Sequence, residues 1–149
     1  MTKNRKAHIL PHCLSTKKQV EVVIFDIPQS PFSSGITVNE NSWTFWPFNT
    51  ERRIQVQCFS LYSVLKALNN PHVDYFSLDI EGAEAVVLKT LPWNEINITL
   101  FTIEINHAGE TFPGSKEEIR HFMKKNGYEH LETVVIDDIF YKEKLNRFS

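Results

Sequence analysis

From residue 54 onward the apolar residues switch period in a regular alternation, and that alternation leaves few folds open. Residues 54–59 set Ile, Val and Cys against Gln, the period of two expected of a half-buried strand. Ser60 is a natural N-cap. Leu61, Val64, Leu65 and Leu68 then follow at i, i+3, i+4 and i+7, one apolar face of a helix, with Pro71 after its end. Residues 73–80 are mostly apolar and predict a strand buried on both faces. A helix is expected from Glu81-Gly82 through Leu91, closed by Pro92. Residues 98–105 predict another buried strand. Ser115-Lys-Glu-Glu118 has the form of a capping box. The helix it opens turns Ile119, Phe122 and Met123 inward and stops at Gly127. Residues 128–136 and 139–143 are the last strands, with Asp137 and Asp138 between them. The order β-α-β-α-β-α-β-β predicts an open α/β sheet with right-handed crossovers. The last two strands leave no room for a helix, so they should form an antiparallel pair at the sheet edge.

The first 53 residues are less regular. Residues 4–14 could form a short helix, although Pro11 interrupts it. Residues 20–25 are β-branched and read as a strand, closed by Pro28 and Pro31. Residues 28–53 read as an excursion from the main sheet. Ile36–Val38 and Trp43–Phe45 are a candidate hairpin, and Phe32, Trp43, Phe45, Trp46 and Phe48 are aromatics that pack on the sheet or stack a ligand.

Composition narrows the classes. Sixteen Lys+Arg against eighteen Asp+Glu give a formal charge of -2, without the basic excess of a general nucleic-acid binder. No run approaches the ~20 apolar residues of a membrane span, and no signal-peptide core follows the basic amino end. Cys13 and Cys58 are too few for a multi-disulfide scaffold and are expected to be reduced thiols, with one disulfide as the alternative.

The densest polar cluster is Asp79-Ile-Glu81-Gly82-Ala-Glu84, where a strand hands over to a helix. Ligands of open α/β sheets bind at the carboxyl ends of strands. Asp79 and Glu81 share a side if the strand continues. Gly82 allows a tight turn or a close backbone approach. Glu84 falls in the first helical turn, where the dipole favours a carboxylate. Such residues also serve simply as caps and dipole partners. A three-carboxylate metal site is conceivable, but no His or Cys stands beside the cluster and no metal is expected. Glu104-Ile-Asn106-His107 ends the next strand. If the two strand ends lie side by side, Glu104 and His107 face the same crevice as Asp79, and His107 suits a general base. An exposed loop histidine is the other reading. His8 and His12 have the i, i+4 spacing of a metal pair, but only on a helix. The five glycines stand at 35, 82, 109, 114 and 127, so there is no GxGxxG, no P-loop and no nucleophile elbow.

The segment Val73-Asp-Tyr-Phe-Ser-Leu-Asp-Ile-Glu-Gly-Ala-Glu84, followed by Val87-Leu88, closely resembles the signature of the FkbM-type methyltransferases. The helix at Leu61 to Leu68, Ile103-Glu104 and Lys125-Asn-Gly-Tyr128 match further features of that family. The resemblance covers residues 54–143 well and residues 1–53 loosely, leaving 144–149 as a tail. Ser77 departs from it, standing where a Lys is frequent. Asn4-Arg-Lys-Ala7, Cys13-Leu-Ser15 and Asp137-Asp-Ile-Phe-Tyr141 look most like the animal Star-like branch.

This resemblance implies a Rossmann-like class I methyltransferase sheet that uses S-adenosylmethionine, generally for O-methylation of a small-molecule or glycan acceptor. Asp79 and Glu81 would line the site, Glu84 would orient the loop, and Glu104 or His107 would lie near the acceptor. It also implies that the Gly-rich loop and the acid after the second strand precede this chain. The first strands would then be missing, and the chain would be a carboxyl-terminal fragment that binds the cofactor weakly or not at all. The Star-like branch implies a different role. It would be a non-enzymatic protein that moves membrane-protein cargo from the endoplasmic reticulum to the Golgi or through endosomes.

Overall fold

The computed structural model describes residues 7–28, 35–36, 50–110 and 112–142. The candidate hairpin and the aromatic cluster of residues 32–48 lie outside these, apart from Gly35 and Ile36. The described residues form a mixed α/β structure of two four-stranded mixed sheets and three helices.

The first sheet holds β1 (Cys13–Leu14), β2 (Glu21–Pro28), β3 (Gly35–Ile36) and β4 (Thr50–Phe59), in the order β1-β4-β2-β3. Residues 7–12 are not helical, as Pro11 would require. His8 and His12 therefore lack the helical spacing of a metal pair; the His12 ring instead packs edge-on against Phe59, with centroids 5.1 Å apart. β4 pairs antiparallel with β2 along its length and parallel with β1. This corrects the expectation that the strand at 54–59 opens the main sheet. Its hydrogen-bonding edges are taken by strands from residues 13–28.

The β1–β4 register sets Cys13 opposite Cys58, and the two form a disulfide with Cα atoms 4.4 Å apart. The expected reduced thiols are thus corrected. The cause is the pairing of two strands 45 residues apart in sequence, which neither cysteine's neighbours reveal.

The second sheet has the order β5-β6-β8-β7. β5 (Val73–Leu78) and β6 (Ile98–Glu104) are parallel, with α2 (Glu84–Thr90) between them in sequence. β7 (Glu129–Val134) and β8 (Asp137–Tyr141) are the antiparallel pair foreseen at the end of the chain, with β7 outermost and β8 bonded to β6. α1 (Leu61–Ala67) begins at Ser60, whose side chain accepts the Ser63 N–H. α3 (Lys116–Lys125) begins at Ser115, whose hydroxyl accepts the Glu118 N–H at 3.1 Å. The Glu118 carboxylate reaches across to Lys89 of α2, at 2.5 Å.

β6 is the centre of the core. Ile98, Phe101 and Ile103 are buried against Leu78, Leu88, Ile119, Met123, Tyr128 and Phe140. Each such side chain contributes roughly 1.5–3 kcal/mol on burial. The Tyr128 hydroxyl donates to the Ile98 carbonyl at 2.6 Å, and burial pushes its pKa up to about 12. β5 differs from expectation. Asp74, Tyr75 and Ser77 are exposed, because among the described residues β5 pairs only with β6 and is an edge strand. No helix among the described residues is long and apolar enough to cross a membrane.

Candidate functional site

The parallel pairing of β5 with β6 sets Leu78 opposite Ile103, so both strands end at the same level. Glu104, the last residue of β6, and the residues just beyond the two strands, Asp79 to Glu84 and Ile105 to Glu110, therefore meet in one crevice.

β5 stops at Leu78, one residue before Asp79, and α2 starts at Glu84 rather than at Glu81. The backbone between them reverses. Glu81 has φ 58° and Gly82 has φ 96°, left-handed values that an L side chain adopts at a cost. Asp79 and Glu81 consequently do not continue a strand on one side. Gly82 is needed for a second reason. A Cβ there would lie 2.8 Å from the His107 carbonyl oxygen. Turn and close approach, the two uses expected of this glycine, both apply.

Glu84 is 1% exposed. Its Oε1 accepts the N–H of Ile80 at 2.8 Å and of Gly82 at 3.2 Å, which ties the turn to the first residue of α2. Burial raises its pKa, against the backbone hydrogen bonds that lower it, and the neighbouring Asp79 adds to the rise. Glu104 is 4% exposed. Burial, followed by the charge of Glu84, pushes its pKa up to about 7. Asp79, Glu84 and Glu104 each bring one carboxylate oxygen within 4.8 Å of the others. Glu81 turns away from this triad toward the His107 ring, at 3.7 Å from Nε2.

His107 sits in a turn closed by the Glu110 N–H on its own carbonyl. Its Nδ1 meets Glu110 Oε2 at 2.6 Å. Its Nε2 is 3.9 Å from Glu104 Oε1 and 3.3 Å from Asn106 Nδ2. Burial disfavours the charged ring. The Glu110 hydrogen bond and the charges of Glu104, Glu110 and Glu81 outweigh it, and the pKa is raised. A Nδ1–H donated to a carboxylate fixes the ring orientation and leaves Nε2 as the basic nitrogen.

The crevice thus brings together Asp79, Glu81, Glu84, Glu104 and His107. Glu110 was not among the residues singled out in the sequence. The His-x-x-Glu spacing in a turn was the available signal.

A family model, the Methyltransferase FkbM domain, matches residues 3–130. The chain belongs to that family. The match takes in the first sheet, β5, β6 and all three helices, ends at the second residue of β7 and leaves β8 outside. No curated protein and no solved structure matches the chain. Membership makes this FkbM domain a methyltransferase by family, and S-adenosylmethionine the cofactor to weigh against the residues present. The acidic crevice suits that molecule's sulfonium and ammonium charges. Its carboxylate needs N–H donors or a cation, and the N–H groups of Ile80 and Gly82 are already held by Glu84. These residues do not fit the cofactor's amino-acid end.

Proposed function

We propose that this FkbM domain O-methylates a hydroxyl of a small-molecule or glycan acceptor, and that the strand-end crevice is its acceptor side. The observation that carries the reading is His107, oriented by Glu110 at 2.6 Å with Nε2 turned toward the β5 and β6 ends. An acceptor hydroxyl beside Nε2 gives up its proton to the ring as its oxygen becomes a nucleophile. Glu84 holds the turn, and Gly82 lets the His107 loop close on it.

S-adenosylmethionine is the methyl donor the family implies, and the 149-residue chain binds it weakly. What supports this is the crevice itself, where the N–H groups that a cofactor carboxylate would need are held by Glu84. Calorimetric titration of the cofactor into the chain should show no micromolar binding. Methyl transfer to a panel of hydroxyl acceptors is then assayed at millimolar cofactor. His107→Gln should lower kcat by about 10²- to 10³-fold with little change in KM. Micromolar cofactor affinity would overturn the weak-binding part. An unchanged kcat would remove His107 as the base.

One observation favours a second reading. The Cys13–Cys58 disulfide belongs to an oxidising compartment, as the secretory setting of the Star-like branch would provide. In that reading the domain keeps the fold and binds membrane-protein cargo without catalysis. Transfer to no acceptor on the panel, together with retention of secretory cargo in cells lacking the protein, would favour it.

A further inference from the structure

One atom of the crevice has no role in the turn or in orienting His107. Glu104 Oε2 is buried without a hydrogen-bond partner, on a residue 4% exposed. Buried carboxylate oxygens are ordinarily satisfied, since an unmet one loses its hydration with nothing in return. The His107 ring does not meet this need, because it approaches the other oxygen, Oε1, at 3.9 Å. Around Glu104 stand two more carboxylates, Glu84 and Asp79, with one oxygen of each residue within 4.8 Å of the others. Three like charges at that spacing repel one another unless a proton or a cation lies among them.

We propose that Asp79, Glu84 and Glu104 form a binding site for a hard divalent cation at the carboxyl ends of β5 and β6. An all-oxygen, all-carboxylate donor set selects Ca²⁺, Mg²⁺ or Mn²⁺ over the softer transition metals. The spacing discriminates further. Three oxygens spaced evenly around one ion lie no further apart than √3 times the bond length, about 3.6 Å for Mg²⁺ and about 4.3 Å for Ca²⁺. The three oxygens, within 4.8 Å of one another, therefore come onto Ca²⁺ with less contraction than onto the smaller ions. Glu84 is held for the purpose by the Ile80 and Gly82 N–H groups on Oε1. Asp79 is exposed and provides the way in from solvent. The site requires no reaction and stands apart from the methyl-transfer reading.

The test is direct binding to the whole chain after chelator treatment. Ca²⁺, Mg²⁺ and Mn²⁺ are titrated separately by calorimetry, and Mn²⁺ also by loss of its free-ion electron paramagnetic resonance signal. One site of submillimolar affinity is expected for Ca²⁺, with a rise in melting temperature. Glu104→Gln and Asp79→Asn should each weaken it about tenfold or more, and Glu132→Gln, an exposed carboxylate on the outermost strand β7, should not. Asp79 is exposed, so its variant keeps the test open if the buried Glu104 substitution disturbs folding. No binding of any of the three ions up to about 10 mM would overturn the proposal. Binding that both crevice variants leave unchanged would overturn it equally, as an adventitious surface effect.

Discussion

Two side chains show how much rests on single atoms. At position 82 a methyl group would have to share space with the His107 carbonyl, at 2.8 Å, on a backbone with φ 96°. The neighbour is backbone, so the His107 loop itself must move. Gly82→Ala should destabilise by about 2–4 kcal/mol, from left-handed strain and overpacking together. Chemical denaturation checks the stability, and the imidazole resonances of His107 should shift as its loop moves. Asp138 is the second case. It is fully buried, with Arg120 donating to both oxygens at 2.7 and 3.0 Å, Thr133 donating at 2.6 Å and His130 at 3.1 Å. Burial works to raise its pKa, but the hydrogen bonds from Arg120 and Thr133 and the charges of Arg120 and His130 outweigh it, and the value is lowered below 3.8. A depressed carboxylate contributes stability that is present above its unfolded pKa, near 4, and lost as pH falls through the folded value. Asp138→Asn should therefore lose about 2–3 kcal/mol at pH 7 and show a flatter decline in urea midpoint between about pH 5 and pH 2.

At the scale of elements, what the sequence shows well is whatever is local. Ser60 and Ser115 cap their helices because a hydroxyl needs only an N–H three residues on. Ile119 and Met123 are buried because helical spacing alone puts them on one face. The terminal strand pair follows from a turn too short for a helix. What it hides is pairing. β4 looks like the first strand of the main sheet because its alternation says half-buried, and alternation names no partner. β5 looks doubly buried because its apolar residues do not say that only one edge is bonded. The candidate site is intermediate. Its five residues are visible as two short polar segments, and their meeting follows from one parallel pair, β5 with β6. That Glu81 faces His107 while Asp79 faces Glu104 depends on two left-handed residues, of which only Gly82 announces itself.

The whole molecule carries one covalent tie, from the two-residue strand β1 to β4, across 45 positions. A loop of that length implies about 4 kcal/mol of stabilisation through the unfolded chain. The paired variant Cys13→Ser/Cys58→Ser should melt lower by that amount, and reductant should lower the melting temperature of the parent protein but leave the variant's unchanged. A parent protein indifferent to reductant would contradict the pairing. The Glu84 carboxylate bears on the molecule's choice of ligands. Backbone N–H groups at a strand-to-helix turn commonly receive a phosphate or another anion from solution. Here the protein has placed an anion of its own on them, with Asp79 and Glu104 beside it. Without a cation among them these carboxylates repel sulfated, phosphorylated and uronic groups, and a divalent ion held there offsets that repulsion.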